Sequence, residues 1–125
     1  MRKPHYFLLL LITSLNFGCA TQTVESNRPV VTWTKSVSTA EEESAAKAAV
    51  INKLKDPESA RFGETWAMDG TNGNRNICGY VNAKNSYGGY TGMKVFHKSE
   101  STVLIESSDV LGALVPKLCT PRIVK

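Results

Sequence analysis

Histidine is almost missing from this chain: there are two in 125 residues, and one of them, His5, lies within the first few positions. Cysteine is scarce as well, with Cys19, Cys78 and Cys119 far apart and no CxxC pair among them. Zinc sites draw on clusters of these two residue types, so no metal and no bound cofactor is expected. Nucleophilic catalysis is equally short of parts, because His97 is the one histidine left past the leader to act as a base. Glu58, Glu64 and Asp69 are scattered over different predicted elements and form no carboxylate pair, so no catalytic residue is nominated and no enzyme is expected. Lys and Arg never stand three in a row, which removes the electrostatic footprint that nucleic acid requires. Gly88-Gly89-Tyr90-Thr91-Gly92 lacks the Gly-Lys-Ser/Thr ending of a phosphate loop. No apolar run approaches the roughly 20 residues that a bilayer-spanning helix needs.

What the chain does have begins with Met1-Arg2-Lys3, a charged start followed by the apolar run from Tyr6 to Ile12. This is the layout of an export signal. Close behind, Gly18 precedes Cys19, and the stretch resembles the lipobox of bacterial lipoproteins, although Asn16 and Phe17 depart from the family's usual leucine and small residue. The resemblance implies cleavage before Cys19 and lipid on its sulfur and new amine. Two or three acyl chains anchor stably where one does not. Ala20 resembles the arrangement in enterobacterial lipoproteins that implies sorting to the outer membrane, facing the periplasm. The competing reading is ordinary secretory cleavage, with Cys19 left as a thiol or discarded.

Residues 1–18 are therefore expected to be a signal peptide, 19–37 the lipidated cysteine and a flexible tether, and 38–125 one domain. Fully extended, an 18-residue tether reaches at most about 60 Å. Without Arg2 and Lys3, thirteen basic residues face eleven acidic ones, so much of the basic balance belongs to the leader. If Cys19 carries lipid, Cys78 and Cys119 remain as an even pair in an oxidising compartment, where a disulfide is expected.

Ser38 or Thr39 can cap a helix whose first turn holds Glu41, Glu42 and Glu43, favourably placed at the positive end of its dipole. The helix should run to about Leu54, with Ala46, Val50 and Leu54 inward, and stop ahead of Pro57. Val30 to Trp33 is a tether segment or a short strand. Strands are expected near 64–68, 77–83, 93–97 and 102–106, with a turn at 69–74. A last helix over about 109–118 should point Val110, Leu111, Leu114, Val115 and Leu118 inward. The expected fold is α+β: an N-terminal helix on a three- or four-stranded antiparallel meander, a short C-terminal helix and one disulfide. His97 is expected at a surface or strand edge.

Two stretches carry a further resemblance. Leu54-Lys55-Asp56-Pro57-Glu58-Ser59-Ala60-Arg61-Phe62 and the segment from Cys78 to Gly92 fit LKDPxSAxF and CGxVNAKNxxGGYxG. In these the chain resembles a family of small exported bacterial and prophage-associated proteins, over about residues 45–98. The resemblance implies an extracytoplasmic domain and brings no activity with it. Within the second stretch, Asn82, Lys84, Asn85, Tyr87 and Tyr90 are the candidate binding residues, since tyrosines beside glycines give contact area and close backbone approach. The same composition also suits a purely structural connector. The function expected is that of a membrane-anchored domain that binds another envelope or incoming protein, in an inhibitor, immunity or exclusion role. The alternatives are a structural envelope lipoprotein and a small cell-wall hydrolase.

Overall fold

The computed structural model of the chain describes residues 28–125. The expected signal peptide, the lipidation of Cys19 and the first part of the tether lie outside these residues. A six-stranded antiparallel sheet forms the centre, in the order β5-β4-β3-β2-β1-β6. Its strands are β1 (Val31–Ser36), β2 (Arg61–Gly70), β3 (Arg75–Asn82), β4 (Lys94–Lys98), β5 (Val103–Ile105) and β6 (Arg122–Val124). The helices are α1 (Ala40–Ile51) and α2 (Val115–Leu118), with single 3-10 turns at Pro57–Ser59 and Gly112–Leu114. Among the described residues no helix is long and apolar enough to cross a membrane.

The α+β class and the disulfide agree with expectation, and the strand count does not. The meander β2 to β5 gains two strands from the chain ends. β1 pairs with both β2 and β6, so residues 31–36 are part of the sheet and not of a tether. Trp33 is the one buried side chain of β1, packed with Trp66 and Met68. Its neighbours Thr34 and Lys35 are exposed, which is why the segment reads as polar.

α1 begins where expected. Thr39 Oγ1 accepts from the Glu42 amide and Glu42 Oε2 accepts from the Thr39 amide, a reciprocal capping box. The helix ends at Ile51, one turn before Leu54, because the chain tightens toward Pro57: Lys53 N–H donates to Val50 O and Leu54 N–H to Ile51 O. Ala46 and Val50 are buried against Ala67, Ile77, Val81 and Phe96, and Leu54 and Phe62 pack at the margin of that cluster.

Alternate residues of the strands face the other way. Trp66, Met68 and Cys78 join Trp33 and Cys119 in a second cluster, so α1 and the C-terminal segment cover opposite faces of the sheet. Cys78 and Cys119 are bonded. Trp66 Nε1 donates to Cys119 O at 3.2 Å, which satisfies the buried indole.

A bulge in β2 between Phe62 and Thr65 inserts one residue opposite β3. It keeps both side chains on the α1 face, where Phe62 meets Phe96 edge-on at 6.0 Å. Gly79 lies opposite Phe96, and a Cβ there would stand 2.7 Å from the ring, so this position requires glycine.

The C-terminal helix is a correction. Val110, Leu111 and Leu114 are exposed, and of the five expected inward residues only Val115 is fully buried. Pro116 has no N–H to bond back to Gly112, so the chain makes a 3-10 turn before a single α turn instead of one continuous amphipathic helix. His97 is also corrected: β5 flanks β4, α2 packs over it, and His97 is only 7% exposed.

Candidate functional site

At the end of the sheet where α1 stops, a cavity of about 420 Å³ opens between the helix end, the 83–93 loop and the start of β4. Leu54, Val81 and Ile105 contribute its apolar lining. Lys53, Lys55, Lys84 and Lys94 surround this lining, together with Asn85, Ser86, Thr91, Glu106 and Ser107.

The two motif stretches build one wall of this cavity by holding on to each other. Ser59, buried in the 3-10 turn, donates its hydroxyl to Asp56 O at 2.7 Å and accepts from the Lys84 amide at 2.9 Å. Its carbonyl accepts from Tyr90 OH at 3.2 Å. The Tyr90 ring lies under the guanidinium of Arg61 at 4.6 Å and the ammonium of Lys84 at 5.7 Å. Lys55 Nζ donates to Ser86 Oγ at 2.9 Å across 31 residues of sequence. Pro57 thus fixes the turn that presents Ser59, and Ser59 docks the loop.

Inside the loop, Asn85 Oδ1 accepts from the amides of Tyr87 at 2.9 Å and Gly89 at 3.1 Å, an Asx-type turn. Lys84 and Tyr90 close its neck as an isolated antiparallel bridge. Gly88 at φ +82° lets the chain reverse at the tip. Tyr87 is left 97% exposed there.

The candidate residues therefore separate. Lys84 and Asn85 line the cavity, and Tyr87 projects from the tip beside it. Tyr90 is the pin that fastens the loop to Ser59. Asn82 ends β3 between the lining residues Val81 and Ala83 without itself lining the cavity, and its Oδ1 is buried without a hydrogen-bond partner among the described residues. Sequence reasoning missed Lys53 and Lys55, which precede the loop by about 30 residues, and Lys94, which follows it directly as the first residue of β4. The signal that could have found them is the expected ends of α1 and β4, both of which fall at the loop's end of the sheet.

The charge of the site is set by what is absent from it. Elsewhere, three cations are matched, Lys35 to Glu64, Lys47 to Glu43, and Arg75 to Glu42 and Asp69, while Arg61, Lys98, Lys117 and Arg122 are in no ion pair among the described residues. None of the four cavity lysines is in an ion pair among the described residues. Glu106 is the only acid in the lining, and its Oε2 accepts the Val95 amide at 3.0 Å. The described residues contain no cluster of three His, Cys, Asp or Glu side chains suited to a metal ion. The arrangement offers cationic and hydroxyl donors around an apolar floor, which is recognition chemistry. In comparisons with protein-family models, curated proteins and solved structures, nothing matches this chain.

Proposed function

We propose that the protein is a lipid-anchored binding protein of the bacterial envelope, tethered through Cys19 to the outer membrane. Its domain grips another envelope protein or an incoming protein in an inhibitor, immunity or exclusion role. The observation that carries this reading is the cavity of about 420 Å³ with four unmatched lysines, beside a tyrosine held fully in solvent. An exposed tyrosine on a loop anchored by internal hydrogen bonds offers contact area at low entropic cost. Co-purification from solubilised envelopes should capture a discrete partner with the wild type and lose it with Tyr87→Ala. Identical sets from both proteins would remove the tip from the reading, and no partner from either would overturn it. Mass spectrometry of the mature N-terminus should find an acylated Cys19; an unmodified residue there would leave export without the anchor.

A second reading is favoured by the bonds of Ser59, Asn85 and Tyr90, which use much of the motif internally. In that reading the protein is a structural envelope lipoprotein and the loop serves folding alone. It requires Tyr87→Ala to lower thermal stability as Tyr90→Ala does, whereas the binding reading requires Tyr87→Ala to leave stability unchanged.

A further inference from the structure

Resting on the binding role proposed above, we infer that the cavity at the end of α1 receives an acidic segment of the partner protein, with carboxylates against the lysines and an apolar side chain on the floor. Four lysines face one glutamate in the lining, a formal surplus of three positive charges, and that glutamate is engaged by the Val95 amide. Clefts walled by one sign of charge concentrate the opposite sign and speed its capture.

Two of the cations are held in position before any ligand arrives. Lys55 is fixed through Ser86, and Lys84 through its backbone bond to Ser59 and its contact with the Tyr90 ring. Preorganised charge costs less ordering entropy on binding.

The floor decides between kinds of anion. Leu54, Val81 and Ile105 would stay wet under a small inorganic ion, so the occupant carries apolar surface next to its charge. No arginine lines the cavity to supply the bidentate fork that planar phosphate recognition favours.

The first described strand and the cavity are well separated along the sheet. The first strand starts beside the turn that joins β2 and β3: Thr71 N–H donates to Thr32 O, and Val31 pairs with Val124. The cavity is at the other end of β3, past Val81, a separation on the order of 20 Å at strand rise. The start of β1 and the cavity therefore lie at opposite ends of the sheet.

The test uses the full chain in detergent, isotopically labelled, with a short Asp/Glu/Leu peptide as probe. The amides of Ala83, Lys84, Lys94 and Ile105 should shift on titration, and affinity should fall about tenfold or more between about 50 and 500 mM salt. The Asn/Gln/Leu counterpart should not bind. Lys53→Gln/Lys94→Gln, two residues with no described side-chain hydrogen bond, should keep the wild-type melting temperature and bind the acidic peptide about tenfold more weakly. Equal binding of the amide peptide, equal binding by the double variant, or equal shifts from inorganic phosphate or anionic vesicles would overturn the inference. A partner captured from envelopes equally well by wild type and double variant would overturn the acidic segment while leaving the binding function in place. No captured partner at all would instead bring down the function itself.

Discussion

Tyr87 and Tyr90 stand three residues apart in one loop and answer to different forces. Tyr90 is held by Ser59 and two cations, so Tyr90→Phe removes one hydrogen bond at constant ring packing. We expect a loss of about 1 kcal/mol in denaturant unfolding. His97 is under a different constraint. It is buried opposite Cys78 and Leu104, with neither ring nitrogen hydrogen-bonded among the described residues, and burial together with the Arg122 cation pushes its pKa below the ordinary 6.5. The folded protein resists taking up a proton that the unfolded chain accepts, so stability should fall as pH drops below about 6.5. His97→Phe should flatten that part of the stability profile measured by thermal melts; a slope identical to wild type would count against it. Neither role is legible in sequence, because a tyrosine in a glycine-rich loop and a histidine on a strand look the same whether packed or free.

At the level of elements, α1 is fastened to the sheet at its acidic end by Arg75. The guanidinium donates to both carboxylate oxygens of Glu42 at 2.7 and 3.0 Å, to Asp69 Oδ1 at 2.5 Å and to Val37 O at 2.9 Å. Its Nη1 also donates to Ser36 Oγ at 3.1 Å, so one side chain on β3 joins β1, α1 and β2. The hydrogen bonds from Arg75, reinforced by the Thr39 amide, lower the Glu42 pKa from 4.5 to about 2. A carboxylate so depressed contributes stability that is complete above pH 4.5 and is lost as pH falls toward 2. Arg75→Gln should diminish the acid-induced loss across that window, as read by melting temperature against pH. The helix itself was legible, since Thr39, the three glutamates and Pro57 mark its ends by local chemistry. Arg75 was not, because its partners lie up to 39 residues away. The same reason hid β6: three residues after Pro121 carry no periodicity, and only pairing with β1 makes them a strand. The cavity lysines are a third instance, gathered by topology from positions 53, 55, 84 and 94.

For the whole molecule, the disulfide is the tie between the C-terminal segment and the meander. Cys78 and Cys119 are 41 residues apart, and closing a loop of that length stabilises the fold by about 4 kcal/mol in the chain-entropy picture. The double variant Cys78→Ala/Cys119→Ala should unfold at markedly lower denaturant concentration, with exchange protection lost first from β6 and β1. Uniform loss over all strands would instead show that the bond serves the entire core. That pairing was readable from cysteine parity. The two opposed apolar clusters were not, because the side on which the C-terminal residues dock depends on Val115 and Cys119, while the more conspicuous Val110, Leu111 and Leu114 remain outside. With the proposed anchor ahead of Val31 and a partner at the cavity, any pull between membrane and partner runs lengthwise along the sheet. β1 is then drawn past β2 and β6 in shear, its rungs sharing the load together instead of opening one at a time. A strand that reads as a polar leash is, in this geometry, the mechanical link through which the domain would bear tension.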